Sequence, residues 1–271
     1  MTGSASDKVF AGSIPKIYET YLVPLIFQPY ADDLAQRVAV RRLGRVLEVA
    51  AGTGVVTRAL AAALPGNVEI VATDLNQAML DQAAAKGTSR PVTWRHADAM
   101  QLPFPDGSFD VVVCQFGAMF FPDKAKAFGE ARRVLRQCGL FVFNVWDRIE
   151  ENDFAAAVTD ALASVFPGDP PRFMARTPHG YHDRAIIERD VAQAGFGAAD
   201  VATIRASSRA DSPRIPALAY CQGTPLRSEI EARNATGLEE ATVAAEREIA
   251  RRFGTGAVEG RIQAHVVSAS A

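Results

Sequence analysis

The stretch RVLEVAAGTGVVTRALAAAL, residues 45–64, decides how this chain folds. Its first part, residues 45–50, is a short apolar run typical of a buried strand, and residues 55–64 have the length and composition of a helix. Between them, Gly52 and Gly54 let the backbone pass close beneath a ligand, to which the helix N-terminus presents free N–H groups. The stretch therefore predicts a strand, a ligand-binding loop and a helix in immediate succession.

The same alternation of strand and helix continues along the chain and predicts a parallel sheet. Apolar strands separated by helices of roughly 10–14 residues indicate a sheet that helices cover on both faces. The further strands are predicted at residues 68–73, 91–96, 109–114 and 140–145, and the helices at 77–86 and 123–136.

The segments on either side of this regular part differ from it. Residues 14–40 have helical apolar spacing, residues 148–183 are rich in proline and glycine and predict irregular structure, and residues 213–254 predict a helical insertion. We therefore expect an α/β fold, with a Rossmann-like sheet of seven mostly parallel strands, an antiparallel last strand and a helical lid. The remaining predicted elements are a helix at 184–195 and strands at 200–206 and 261–268.

Composition excludes several classes of function. The 29 basic and 31 acidic residues give a net charge of −2, so no basic surplus attracts nucleic acid or an anionic bilayer. No apolar stretch approaches the roughly 20 residues that cross a membrane. Met1 to Lys8 are small and polar, unlike a signal peptide, and Cys114, Cys138 and Cys221 have no C-x-x-C spacing. We expect a cytoplasmic protein without a metal cluster, membrane insertion or a nucleic-acid partner.

Three acids follow strands at the same predicted sheet edge. Glu48 would place negative charge beside the glycine loop, which disfavours a pyrophosphate and favours an ammonium or sulfonium group. Asp74 ends the second strand, where a carboxylate can accept both hydroxyls of a ribose. Asp98 ends the third strand, where it can accept an adenine amino group while Ala99 supplies a backbone N–H to the ring. Taken singly each acid also fits a capped or solvated strand end, but together they predict one ligand site.

The region from residue 45 to about 146 resembles the class I S-adenosylmethionine (SAM)-dependent methyltransferases, in the group called methyltransferase type 11 or UbiE-like. Before it, Ile17-Tyr18-Glu19 is similar to the family's Tyr-Asp element, whose tyrosine closes over the cofactor, although Glu19 departs from the usual Asp. The resemblance implies methyl transfer from SAM to a small-molecule acceptor, giving S-adenosylhomocysteine (SAH). The matching segments are EVAAGTG (48–54), ATDLN (72–76), HADAMQLPFPDGSFD (96–110), CQFGAMFFPD (114–123) and EARRVLR (130–136).

The resemblance also implies the domain organisation and the cofactor site. Residues 1–40 would form an N-terminal helical lid, residues 41–147 a SAM-binding core, and residues 148–271 the C-terminal part of the same domain with substrate-lid insertions. The glycine loop would pass under the methionine part of SAM, and the end of the fourth strand would lie beneath the sulfonium. The predicted cofactor-binding residues are Tyr18, Glu48, Ala50, Gly52, Thr53, Gly54, Asp74, Leu75, Met79, Asp98, Ala99, Gln115 and Phe116.

The substrate side has weaker signals. Residues 177–183 contain His179 and His182, and a histidine with a pKa near 6.5 suits a general base at neutral pH, although His182 also fits the start of the next helix. Trp146 is a candidate wall of the acceptor pocket. The apolar composition of the lid (Phe154, Val165, Phe166, Phe173 and Met174) favours a hydrophobic or aromatic acceptor.

Two other functions stay open at the level of sequence. An NAD(P)-dependent oxidoreductase suits Gly52, Gly54 and Asp74, but Thr57 stands where a dinucleotide fingerprint has its third glycine, and Glu48 is a poor neighbour for a pyrophosphate. A non-enzymatic protein that binds SAM without turning it over is the second alternative.

Overall fold

The computed structural model describes residue 10, residues 12–41 and residues 43–271. These residues divide into two compact units, which we call the sheet unit and the helical unit. The division into 1–40, 41–147 and 148–271 stays a prediction, of which residues 1–9, 11 and 42 lie outside the described part. The sheet unit comprises Gln28–Val145, Tyr181–Ile204 and His265–Ala271; the helical unit comprises the described residues up to Phe27, Trp146–Gly180 and Arg205–Ala264.

One sheet of seven strands is present in the described chain, in the order β3-β2-β1-β4-β5-β7-β6. Four neighbouring pairs, from β3 across to β5, are parallel, and the last strand is antiparallel, so the predicted fold class is confirmed. The strands are β1 (Arg45–Val49), β2 (Glu69–Asp74), β3 (Thr93–His96), β4 (Phe109–Gln115), β5 (Leu135–Trp146), β6 (Asp200–Ala210) and β7 (Val258–Ser270).

The strand order reverses between β1 and β4, and this reversal positions the site. β2 and β3 lie on one side of β1, whereas β4 and β5 lie on the other. Successive connections therefore leave β1 and β4 in opposite directions and open a crevice beyond the carboxyl ends of these two strands, where open parallel sheets bind ligands. Val46, Leu47 and Glu48 of β1 are almost fully buried between both neighbours, as a central parallel strand requires.

Helices account for most of the remaining chain. Residues 14–39 are helical, as predicted, but Pro24 cannot donate the α-helical hydrogen bond, and Tyr18–Phe27 is wound as a π-helix. The α-helices are α1 (Ile14–Ile17), α2 (Gln28–Ala39), α3 (Val55–Ala63), α4 (Gln77–Lys86), α5 (Lys124–Val134), α6 (Asp153–Val165), α7 (Phe173–Arg176), α8 (Arg184–Gln193), α9 (Arg214–Gln222), α10 (Leu226–Arg233) and α11 (Leu238–Phe253).

The prediction that residues 148–183 are irregular is wrong. They contain α6, which is 13 residues long and buries Phe154, Val158 and Leu162 on one face. Alanines between these apolar residues are strong helix formers, and the prolines and glycine that suggested a loop follow only after the helix has ended. The strand β5 also begins at Leu135, five residues before the predicted start at Leu140, across a bulge in its pairing with β4.

The ends of β1 and β4 approach each other so closely that residue 117 has no room for a side chain. A Cβ atom at Gly117 would lie 2.5 Å from Ala50 Cβ and 2.8 Å from Cys114 Sγ. The residues that follow the two strands, Ala50 and Phe116, both have left-handed backbone conformations, with φ of 54° and 48°. Non-glycine residues adopt this conformation at a cost of order 1–3 kcal/mol, and such strain is often concentrated at functional sites.

We predict that Gly117→Ala lowers the free energy of unfolding by about 1–3 kcal/mol, because the added methyl group overlaps Ala50 and Cys114. Gly129→Ala is the matched control, since no atom lies within 4 Å of a Cβ at this position in α5. It should raise the stability by about 0.5–1 kcal/mol through helix propensity. Urea unfolding measures both, and equal stability of Gly117→Ala and the wild type would show that the strand ends can separate freely.

Candidate functional site

The glycine loop is tied to the neighbouring strand by Asp74. The backbone N–H of Gly52 donates to Asp74 Oδ2 at 2.8 Å, and the N–H of Asn76 donates to Asp74 Oδ1 at 2.7 Å. Gly52 has a φ of 57°, and the nearest atom to a Cβ there would be Met79 Cε at 3.7 Å. Asp74 therefore holds the loop in place, a role that sequence reasoning missed because it depends on β1 and β2 being neighbours.

Glu48 is a buried acid in the centre of this unit. Only 1% of its surface is exposed, and Thr57 Oγ1 donates to its Oε2 at 2.5 Å. Burial raises the pKa of the Glu48 carboxyl to about 8, and the Thr57 hydrogen bond and the Arg58 charge lower it only partly. Thr57, which disagreed with a dinucleotide fingerprint, is thus the hydrogen-bond donor to Glu48.

Thr53 has a buried hydroxyl group that needs a partner. It lies between Gly52 and Gly54 and is 1% exposed, and within the described residues no donor or acceptor reaches its Oγ1. Buried polar groups are normally hydrogen-bonded, and an exception calls for an explanation. A polar ligand in the loop would satisfy this hydroxyl.

Gly54 fills a different role from Gly52. A Cβ atom at Gly54 would lie 2.8 Å from the ring of Trp94 in β3, and the residue has a φ of 80°. Gly54 is therefore required for packing of the loop against the sheet unit, whereas Gly52 lies where the space is more open.

The carboxylate of Asp98 shapes the turn after β3. Its Oδ1 accepts the backbone N–H of Met100 at 2.8 Å, and its carbonyl oxygen accepts the N–H of Gln101 at 3.0 Å. Asp98 and Ala99 are both partly exposed. Asp98 thus keeps its second carboxylate oxygen for a further interaction, and Ala99 lies in the same turn.

Leu75 and Met79 differ in exposure. Leu75 follows Asp74 at the end of β2, and 51% of its surface is exposed, which is unusual for a large apolar side chain. Met79 in the first turn of α4 is buried, and its terminal methyl group lies beside Gly52. The two side chains offer apolar surface on the β2 side of the loop.

Gln115 and Phe116 form the end of β4. Phe116 N–H donates to two atoms of Asn144 in β5, the side-chain Oδ1 at 2.9 Å and the backbone oxygen at 3.1 Å. The Phe116 ring lies perpendicular to the ring of Tyr30 in α2, with ring centroids 5.3 Å apart. Neither Asn144 nor Tyr30 was among the predicted site residues, because neither belongs to a motif and both act through packing across the fold.

The predicted residue Tyr18 belongs to the helical unit, whereas all the other predicted cofactor residues belong to the sheet unit. It is part of a series of ring contacts that we call the aromatic row. In it Tyr18 stacks on Phe27 at 4.9 Å, Phe27 lies 5.9 Å from Trp146, and Trp146 lies 6.0 Å from His179. Phe10 meets Tyr18 edge-on at 6.0 Å at the other end of the row.

The two predicted catalytic histidines lie in different units and in different surroundings. His179, in the helical unit, is 4% exposed, and its Nδ1 lies 2.8 Å from the carbonyl oxygen of Asp147. His182, in the sheet unit, is partly exposed and precedes Asp183, which accepts hydrogen bonds from Ala185 N and Ile186 N and caps α8. A carbonyl oxygen only accepts, so His179 carries a proton on Nδ1.

No group of three metal-binding side chains occurs in the described part of the chain. Likewise, none of the helices in the described ranges has both the length and the apolarity needed to cross a membrane.

Comparison with known proteins identifies the family. A protein-family model described as a methyltransferase domain matches residues 47–143. The chain is 34% identical over 171 residues to the ubiquinone/menaquinone biosynthesis C-methyltransferase UbiE of Burkholderia mallei. This match covers 59% of this chain and 70% of the relative.

Solved structures define the class of fold. The YcgJ protein of Bacillus subtilis matches with a TM-score of 0.56 and 19% identity, over 89% of this chain and 98% of that one. Phosphoethanolamine N-methyltransferase 2 of Haemonchus contortus, in complex with SAM, matches with a TM-score of 0.57 and 17% identity, over 95% of this chain and 56% of that one. At these identities the likeness shows the fold alone. With the sequence relatives, it follows that the chain belongs to the class I SAM-dependent methyltransferases, in the type 11 or UbiE-like group.

We predict that Glu48→Gln stabilises the ligand-free protein at alkaline pH. The folded-state pKa of about 8 exceeds the unfolded value of 4.5, so the wild type loses stability as the pH rises from about 5 to 8. This loss is about 1.4 kcal/mol for each pH unit, and the neutral amide of the variant, which still accepts the Thr57 hydrogen bond, avoids it.

Urea unfolding of both proteins at pH 5 and pH 8.5 measures this effect, with Glu240→Gln, at an exposed position of α11, as the control for removal of one acid. A stability difference between Glu48→Gln and the wild type that does not change with pH would contradict the burial of an ionisable Glu48.

Proposed function

We propose that this protein is an enzyme that methylates a small-molecule acceptor, with SAM as the methyl donor and SAH as the product. The observation that carries the proposal is the buried Glu48 carboxyl beside a glycine loop that Asp74 holds in place. A carboxyl group in a site without water interacts strongly with a ligand cation, which would favour its ionised form. Membership of a SAM-dependent family supports the same ligand.

The side chains of the sheet unit fit the parts of this cofactor. Glu48 and the backbone carbonyls near Ala50 and Gln115 would receive the ammonium group, and the Thr53 hydroxyl would gain the polar partner that it needs. Asp74 would use the remaining lone pairs of its oxygens for the ribose hydroxyls, and Asp98 its second oxygen for the adenine amino group.

The remaining predicted contacts are apolar or close-packed. Leu75 and Met79 would contact the adenine together with Ala99, while Gly52 and Gly54 keep the loop free of side chains. When bound, SAM supplies a methyl group on a sulfonium, which is a good leaving group. The protein therefore has to align the acceptor and exclude water more than it has to activate the donor.

The aromatic row of the helical unit supports an acceptor with an apolar or aromatic ring. Aromatic faces bind planar ligands with favourable stacking. The Burkholderia relative is named as an enzyme of ubiquinone and menaquinone biosynthesis, which supports a ring acceptor of quinone type. Phe154, Phe173 and Met174, which suggested a hydrophobic acceptor at the level of sequence, are buried, as are Phe27 and Trp146 of the row, whereas Val165 and Phe166 are partly exposed.

His179 is the stronger of the two proposed bases. Its Nδ1–H bond to the Asp147 carbonyl and the packing of Trp146 beside it hold the imidazole ring in a fixed orientation. A positioned base of this kind would remove a proton from an acidic O–H or C–H acceptor. Asp183, the neighbour of His182, is already used as a helix cap, which supports a structural role for that segment.

The proposed function predicts that the protein binds SAM and that Asp74→Ala weakens this binding by roughly ten- to a hundredfold. The substitution removes charge-assisted hydrogen bonds to the ribose and also releases Gly52 from its anchor. Titration calorimetry measures the affinity, and circular dichroism checks that the variant is folded. Release of SAH with a fractionated metabolite extract or short-chain quinols then tests turnover.

Each alternative has its own outcome in this experiment. Binding of NADH in place of SAM would identify an oxidoreductase, and SAM binding without SAH release from any acceptor fraction would identify a non-enzymatic binding protein. Unchanged SAM affinity in folded Asp74→Ala would overturn the site.

We predict that His179→Asn lowers turnover by about a hundredfold or more while SAM affinity stays within about threefold. The asparagine side chain of this variant retains an N–H for the Asp147 carbonyl but has no basic nitrogen at the Nε2 position. The rate of the wild type should rise with pH as the proposed base loses its proton, and this rise should be absent in the variant.

His182→Asn is the matched control and should leave both the rate and the pH profile nearly unchanged. If His179→Asn retains wild-type turnover and an unaltered profile, methyl transfer in this protein relies on proximity alone.

A further inference from the structure

Asn144 is a buried polar residue outside the segments that match the family. It lies in β5 directly opposite Gln115 of β4, and none of its surface is exposed. Its side-chain oxygen and its backbone oxygen accept the same Phe116 N–H, at 2.9 and 3.1 Å. The backbone bond belongs to the ladder between β4 and β5, and the side-chain oxygen of Asn144 adds a second acceptor for the same N–H.

The geometry of the peptide bond extends this effect to Gln115. The peptide group between Gln115 and Phe116 is planar and trans, so its C=O points opposite to its N–H. Because the N–H points towards β5, the Gln115 carbonyl points towards β1, which is the neighbour of β4 on the other side. The register of β1 with β4 ends at Glu48 and Val113, two residues before Gln115.

Phe116 needs this support because of its conformation. It leaves β4 with a φ of 48°, which a phenylalanine adopts only when its surroundings impose it. The Tyr30 ring holds the Phe116 side chain, and Asn144 holds the backbone. The bond from Asn144 Nδ2 to Gln115 Oε1 is long, at 3.5 Å, and adds little.

We propose that Asn144 is a positioning residue for the cofactor: by binding the Phe116 N–H, it aims the Gln115 carbonyl at the ammonium group of SAM or SAH. This inference rests on the proposed function, since it assumes that the ammonium group lies between Glu48 and the end of β4. It predicts an effect on ligands that have an amino-acid part and none on ligands that have only the adenosine part.

The experiment compares two ligands and two variants. Asn144→Leu removes both polar atoms of the side chain at similar volume, and Val142→Ala is the control for a packing loss on the same strand, where Val142 is fully buried. SAH contains the ammonium group, and 5′-methylthioadenosine lacks the whole amino-acid part. Titration calorimetry gives four affinities relative to the wild type.

We expect Asn144→Leu to weaken SAH binding about three- to tenfold and to leave 5′-methylthioadenosine binding within about twofold, because only one charge-assisted contact is misaligned. Hydrogen exchange of the Phe116 amide should become faster in Asn144→Leu and not in Val142→Ala. If Asn144→Leu does not fold, Asn144→Ala takes its place.

Two results would overturn the proposal for Asn144 alone. The first is that the wild type binds SAH and the Asn144→Leu variant behaves like Val142→Ala. The second is that Asn144→Leu weakens the binding of both ligands equally, which indicates a general collapse of the site. A wild type that binds neither ligand would overturn the proposed function, and the role of Asn144 with it.

Discussion

The burial of β1 between two parallel neighbours is the constraint on which the rest of the site depends. A strand in this position has no solvent on either edge, so every group at its carboxyl end must find its partners within the protein or in a ligand. Glu48 is the clearest consequence, because its carboxyl group is buried together with the strand that carries it. The raised pKa of Glu48 follows from the place of its strand in the sheet.

The same constraint explains the strained backbone around the crevice. Where β1 and β4 end side by side, the chain turns away from the sheet at Ala50 and at Phe116, both in the left-handed conformation. The contact between Ala50 and Gly117 allows this close approach, and Asn144 and Tyr30 hold Phe116 from behind. Stable packing of the interior thus supports an unfavourable local conformation at the point where a ligand would bind.

Polar groups at this edge of the sheet hold the loops of the protein, and in the proposed function they would also bind a ligand. Asp74 accepts the N–H groups of Gly52 and Asn76 through one lone pair on each oxygen, and in the proposed function the remaining lone pairs would bind a ribose. Asp98 shapes its turn with one oxygen and keeps the other. A site built in this way is organised before the ligand arrives, so little conformational entropy is lost when it binds. It also means that substitution of either acid affects the loops as well as the contacts.

The sequence by itself determined the sheet, the glycine loop and the three acids, because these depend on local signals: apolar strand runs, Gly52 and Gly54 before a helix, and acids at strand ends. Helix α6 escaped prediction because the proline-rich segment after it resembled a continuous loop. The roles of Asn144, Tyr30 and Gly117 were decided by tertiary structure alone. Each acts on a residue at least 28 positions away or on a neighbouring strand, and such contacts exist only after the sheet has assembled. Tertiary structure also decided the burial of Glu48 and the anchoring of His179. The pKa of Glu48 and the direction of the His179 hydrogen bond depend on surroundings that no local sequence pattern contains.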